Sequence, residues 1–141
     1  MFSIRLAGSS DLENLINLDP RSSTDAKRIP LITQAVRSGT CHLVEYTGQL
    51  IGYGVFEYSF YQNGFVAMLY FHPDFRRKHL GTRLMTYFED ICTTDKLFTS
   101  TNQSNIPMQR LLASMGYQPS GVIENLDDND PELIYVKRLS R

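Results

Sequence analysis

Residues 69–85 read LYFHPDFRRKHLGTRLM, and the fold turns on how that run is divided. Leu69, Tyr70 and Phe71 end an apolar strand. From His72-Pro73-Asp74 onward the spacing predicts a helix, with Leu80, Leu84, Phe88, Ile91 and Cys92 along one face. Arg76, Arg77 and Lys78 then crowd the helix start, where exposed N–H groups and the positive end of the macrodipole disfavour cations. A phosphate seated on that turn reverses the sign, because helix dipole and cations then act together on one anion. Gly81 allows close approach of the backbone, and Thr82 adds a hydroxyl. The alternative is a solvated basic face beside a glycine that merely packs; a short pattern does not choose between them.

Downstream, KLFTST (residues 96–101) reads as a strand. Strand, helix and strand in succession predict a right-handed crossover and a parallel pair. Upstream, CHLVEY, LIGYGVFEYSFY and FVAMLYF are rich in β-branched and aromatic residues and predict an antiparallel meander. Its turns are expected at Thr47-Gly48-Gln49 and at Gln62-Asn63-Gly64, the second on the strength of Asn-Gly. Residues 65–71 are apolar throughout and read as a central strand buried on both faces.

The N-terminal quarter adds a strand over residues 2–6 and a helix capped by Ser9-Ser10-Asp11, carrying Leu12, Leu15, Ile16 and Leu18 and ending at Asp19-Pro20. A second helix over residues 29–37 buries Ile32, Ala35 and Val36 and stops at Ser38-Gly39. Near the C-terminus, Pro107 sits in the first turn of a helix with Leu111, Leu112 and Met115 facing inward and Gly116 just past its end. Strands over residues 121–125 and 133–137 flank the acidic loop LDDNDPE. The sum is an α/β class with a mixed sheet, mostly antiparallel with one parallel crossover, and helices on both faces.

The chain has 141 residues, the size of one domain, here residues 1–141. Its net charge of −1 makes any basic patch local and argues against a nucleic-acid partner. Cys41 and Cys92 fall on apolar positions, which predicts reduced core thiols and a cytoplasmic location. No signal-peptide core is present, and no apolar run approaches the roughly 20 residues that span a bilayer, so no membrane partner is expected. Neither G-x-x-x-x-G-K-[ST] nor G-x-G-x-x-G occurs, and His42, His72 and His79 lack the spacing of metal ligands, so no metal is expected.

These residues resemble the GNAT superfamily of acyl-CoA-dependent N-acetyltransferases. LYFHPDFRRKHLGTRLM is similar to its central signature, Q/R-x-x-G-x-G/A after a strand, with Arg76 and Gly81 at the outer positions. SNIPMQRLLASMGYQPSG is similar to its later one, an Asn followed by a helix ending in Gly-aromatic, and the resemblance covers nearly the whole chain. It implies acetyl-CoA as cofactor, its pyrophosphate on the backbone of Arg77, Lys78, His79, Leu80, Gly81 and Thr82 beside Arg76. It further implies that the pantetheine arm pairs with Leu69, Tyr70 and Phe71, and that Asn105 holds the cofactor's other side. A backbone N–H near Leu69 to Phe71 would polarise the acetyl carbonyl.

Three positions depart from that pattern. His79 stands in place of a glycine, which ordinary helical dihedrals would permit. Leu112 replaces the Tyr that commonly protonates the leaving thiolate; Tyr117, Tyr70 or a water are the substitutes, and a thiolate leaves readily without an acid. Phe65 and Ser100 replace the positions where relatives commonly carry a Glu base, leaving Glu57 or a water chain to take the amine's proton. The expected activity is transfer of an acetyl group to a primary amine of a small molecule, peptide or protein by direct attack in a ternary complex, possible as a homodimer. The alternative is an acyl-CoA-binding module of little or no turnover that acts as a sensor or partner-binding subunit.

Overall fold

Strand β1 (Phe2–Leu6) pairs antiparallel with β2 (Cys41–Tyr46), and β2 with β3 (Gln49–Phe60). Thr47 and Gly48 join β2 to β3 with φ of 49° and 81°, a two-residue turn whose left-handed residues match the twist of the flanking strands. The next turn, into β4 (Asn63–Phe71), is built the same way from Tyr61 and Gln62, with φ of 52° and 66°. Asn63-Gly64 is therefore not the turn. Gly64 is buried within β4, pairs with Leu97 and donates its N–H to Thr94 Oγ1 at 2.9 Å, so pairing overrides the local Asn-Gly preference.

The computed structural model describes residues 1–76 and 78–140. The hydrogen-bonded strand order is β1-β2-β3-β4-β5-β7-β6, with β5 (Lys96–Asn102), β6 (Gln118–Ile123) and β7 (Glu132–Arg138). β4 and β5 run parallel; β5 with β7 and β7 with β6 run antiparallel. The helices are α1 (Leu12–Leu18), α2 (Arg28–Arg37), α3 (Leu80–Ile91) and α4 (Ile106–Ser114). The mixed α/β class expected from the pattern is what forms. Among the described residues, no helix is long and apolar enough to cross a membrane.

The chain gathers into two compact units, the first from Met1–Phe56 and Met68–Leu84, the second from Glu57–Ala67 and Met85–Arg141. In the first, Leu15, Ile32, Ala35 and Val36 of α1 and α2 pack on Cys41, Leu43, Tyr53 and Val55 of β2 and β3. Burying a side chain such as Leu15 or Ile32 contributes about 1.5–3 kcal/mol. Asp11 precedes α1 but does not cap it; its carboxylate accepts the Gly8 N–H and a two-pronged contact from Arg5.

In the second unit, Leu97, Thr99 and Thr101 of β5 are buried and alternate with half-buried Phe98, Ser100 and Asn102. Met85 and Phe88 of α3 and Cys92 just past its end are buried, whereas Ile91, expected on that face, is 36% exposed. Leu112 is buried on α4. Both cysteines are buried, and burial pushes the Cys41 thiol up to about 12.

The strand expected to be buried on both faces is not β4. Ile51 to Phe56 of β3 are buried at every position, while in β4 Ala67 is exposed and Met68, Leu69 and Tyr70 are half-buried. An apolar run thus continues to a strand end that is left partly uncovered.

Candidate cofactor-binding site

The junction after β4 is tighter than a helix start. Pro73–Phe75 forms a single 3₁₀ turn, His72 Nδ1 accepts the Asp74 N–H at 3.1 Å, and α3 begins only at Leu80. The helical spacing predicted from His72 is therefore interrupted, and Arg76 and Lys78 lie between that turn and α3. The His72 N–H bonds Ile51 O at 2.8 Å, fixing the loop to β3. Phe75 rests against the rings of Tyr46 and His72.

His79 has φ of 59°, so the expectation of ordinary helical dihedrals fails. Its carbonyl accepts the Arg83 N–H at 3.1 Å, the first bond of α3. A left-handed residue suits glycine, and a side chain there costs about 1–2 kcal/mol. The backbone therefore keeps the course that a glycine would take, although the residue is His.

Arg76 folds back onto the strand end. Its Nε donates to Phe71 O at 2.9 Å, and its guanidinium carbon lies 5.5 Å from the centre of the Tyr70 ring. Tyr70 in turn packs 6.0 Å from Tyr53. Tyr53 donates to Asp19 Oδ2 at 2.7 Å, and Asp19 is ion-paired with Arg28, all three buried. Burial opposes the charge on Asp19, but hydrogen bonds from Tyr53, the Arg21 N–H and Arg28 outweigh it and hold the carboxyl below its usual range. Burial pushes the Tyr70 phenol up, so it keeps its proton.

Gly52 makes room for this arrangement. A Cβ there would lie 2.5 Å from Phe71 Cδ1 and 2.6 Å from Tyr70 O, inside any tolerable contact.

The first unit thus brings Leu69, Tyr70, Phe71, Arg76, Lys78, His79, Leu80, Gly81 and Thr82 onto consecutive segments. Lys78 and His79 are exposed, Leu80 is buried and anchors the helix, and Gly81 and Thr82 are half-exposed. Arg77 lies outside the described residues. The first turn of α3 contains no acidic residue, so no carboxylate on the helix itself opposes an anion there.

Glu57, Asn105 and Tyr117 belong to the second unit. Asn105 is the cap of α4, its Oδ1 accepting the Met108 N–H at 3.2 Å. Glu57 is half-buried and accepts from Ser59 Oγ at 2.6 Å. Tyr117 is buried and donates to Glu89 Oε2 at 2.7 Å, while Lys137 Nζ reaches both Glu89 oxygens. Burial, then the bond to Glu89, pushes the Tyr117 pKa up, which makes it a poor proton donor to a thiolate.

Two groupings escaped the sequence. One is Asp19, Arg28 and Tyr53, whose members are far apart in the chain. The other is Ser100 and Glu132: Ser100 Oγ donates to Glu132 Oε2 at 2.6 Å. Each residue of that pair was visible by itself, Ser100 as a side chain that cannot be a base and Glu132 as a carboxylate of the acidic loop that could attract a cationic amine, but not their meeting.

Comparison with known proteins places this geometry. The Acetyltransferase (GNAT) family matches residues 10–117. An acetyltransferase of the GNAT family from Bacillus cereus ATCC 10987 is 28% identical, with a TM-score of 0.89 over 100% of this chain and 99% of that one. Two further structures show the same fold at lower identity. One is yncA from Salmonella typhimurium, solved with its cofactor acetyl-CoA: 16% identity, TM-score 0.75, 99% and 95% of the two chains. The other is the ribosomal-protein-S18-alanine N-acetyltransferase of Escherichia coli: 15% identity, TM-score 0.74, 100% and 96%. No curated protein sequence matches the chain.

Proposed function

Because the chain belongs to the GNAT acetyltransferase family, we propose that it transfers an acetyl group from acetyl-CoA to a primary amine, in the cytoplasm, by direct attack in a ternary complex. The observation that carries this reading is the first turn of α3, without an acidic residue and preceded by Arg76 and Lys78. Such a turn suits a pyrophosphate, because the positive end of the helix dipole and the flanking cations all favour the anion. The donor set fits the cofactor in a second respect, since Leu69 and Tyr70 are only half-buried and leave a strand end for an extended pantetheine to pair with.

Acetyl-CoA supplies the thioester whose acyl group is transferred. The chain's part is binding and orientation. The N–H groups of residues 80–82 and the side chains of Arg76 and Lys78 hold the phosphates. A backbone N–H in residues 69–71 donates to the acyl oxygen as negative charge builds there. Arg76 and Gly52 fix that strand end so that the donor is already in place.

A second reading is favoured by the buried Leu112 and by the commitment of Tyr117 to Glu89. It is a module that binds acyl-CoA with little turnover and serves as a sensor or partner-binding subunit. Release of free CoA thiol from acetyl-CoA, followed with a broad panel of primary amines beside a binding titration, separates the two. Amine-dependent thiol release supports the transferase; binding without release for every amine supports the module.

A further inference from the structure

In the second unit, β5, β7 and β6 carry an open cleft of about 540 Å³, within the range of small-molecule sites. Strand register fixes its floor. Phe98 of β5 lies opposite Val136 of β7, and Val136 lies opposite Gln118 of β6, so the three side chains stand in one row on one face. Two residues along, Lys96 and Arg138 are direct partners and make the next row. All five line the cleft, together with Ser120. Phe98 also meets the Phe60 ring at 5.2 Å, which limits how far it can turn.

The second row is costly as it stands, because like charges directly opposite each other destabilise a strand pair. Just beyond it the Leu139 N–H bonds Asp95 O at 2.7 Å, which ties the strands together there and keeps the cations adjacent. Among the described residues, neither Lys96 nor Arg138 forms an ion pair. Lys137, which also borders the cleft, is neutralised by Glu89 at 3.1 Å. Lone cations on a flat sheet would simply be solvated. Here two unneutralised cations are held side by side, and a half-buried ring and valine lie in the same concavity.

We propose that this cleft binds a small phosphate monoester carried on a flat apolar body. Lys96 and Arg138 take the phosphate, Phe98 and Val136 take the apolar body, and Gln118 and Ser120 supply hydrogen bonds at the side. A phosphate monoester carries nearly two negative charges at neutral pH, matching the two cations, whereas a carboxylate matches only one. The Arg138 guanidinium adds paired donors suited to phosphate oxygens. Every residue of the site belongs to the second unit and none is among those assigned to the cofactor, so the proposal does not depend on acetyl transfer.

The test uses the full chain, isotope-labelled, at low ionic strength, where exposed charges are least screened. Amide shifts are followed by NMR as phenyl phosphate, benzoate, benzyl alcohol or inorganic phosphate is added. Phenyl phosphate should shift residues 96–98 and 136–138 together, with one dissociation constant severalfold tighter than that of any other probe. Lys96→Ala and Arg138→Ala should each weaken it by about fivefold, the upper scale of an exposed ion pair. Gln118→Glu should weaken it as well, by placing a like charge beside the phosphate. Arg76→Ala should leave these shifts unchanged, which separates this cleft from the proposed cofactor site. Ligand-free Lys96→Ala should melt no lower than the wild type, since its removal relieves a repulsion. Parity of phenyl phosphate with any other probe, shifts confined to residues 69–83, or unchanged affinity in both alanine variants overturns the proposal.

Discussion

Arg76 and Phe71 are joined by one hydrogen bond, from the guanidinium Nε to the carbonyl oxygen at 2.9 Å. The residue that begins the basic run therefore points back at the strand, and the helix start is approached by a loop that its own cation closes. A positive charge kept near the proposed phosphate site is also the clamp on the strand end that precedes it.

This double role predicts unequal substitutions at one site. Arg76→Ala should weaken acetyl-CoA binding by about tenfold, the scale of one hydrogen bond to a charged group. Arg76→Lys keeps the charge but loses the planar Nε donor and the contact over Tyr70, so it should restore only part of the loss. Titration calorimetry reads the difference, and full rescue by Lys would reduce Arg76 to a point charge.

Asp19 is the buried centre of the first unit's polar network. Asp19→Ala leaves Arg28 without its partner and should cost about 3–5 kcal/mol. Tyr53→Phe removes one hydrogen bond and should cost about 1 kcal/mol. Denaturant melts of both variants measure these losses, and near-wild-type stability of Asp19→Ala would contradict the network's role.

Two buried groups, His42 and Asp19, set the acid limit. Burial holds the His42 imidazole below its ordinary value, so the unfolded chain takes up that proton first and stability should begin to fall as pH drops below about 6.5. The carboxyl of Asp19 is also lowered. Its contribution is present above the unfolded carboxylate pKa, near 3.9, and is lost as pH falls through the lower folded value. Thermal melts across pH 7 to 3 should show a gradual loss and then a steeper one. In Asp19→Asn the steeper step should shrink.

Gly52 has no space for a side chain. Gly52→Ala would set a Cβ against Phe71 Cδ1 and Tyr70 O, which costs about 1–3 kcal/mol as overpacking. Because the displaced atoms belong to the strand end proposed to pair with the cofactor, acetyl-CoA affinity should fall with stability. A stable variant of unchanged affinity would show that Tyr70 and Phe71 do not contact the cofactor.

His79 tests whether its side chain or its backbone matters. With φ of 59°, His79→Gly should stabilise the chain by about 1 kcal/mol and leave acetyl-CoA binding intact. A marked loss of affinity would assign the imidazole a direct role.

How much of this was legible follows from how local each feature is. The succession of strand and helix within residues 69–85 could be read because the apolar strand end and the helical spacing of Leu80 and Leu84 are contiguous in the chain. The start of α3 was placed too early because Pro73–Phe75 satisfies helical spacing for one turn. The second hairpin was misplaced because Asn63-Gly64 carries the stronger turn preference, while the partners that hold Gly64 in β4, Leu97 and Thr94, lie some 30 residues away. Tyr53 meeting Asp19, and Ser100 meeting Glu132, are pairings of the fold. No spacing rule brings such residues together, so these polar pairings were the part least visible in the chain.

The central claim is that the first turn of α3 seats the pyrophosphate of acetyl-CoA. Calorimetric titration of acetyl-CoA into the wild type and Gly81→Glu, with the melting temperature of each apo protein as control, tests it most directly. Binding to the wild type and none to a Gly81→Glu variant that melts normally is the predicted result, because the new carboxylate meets the phosphates. Equal affinity in the two proteins would contradict it.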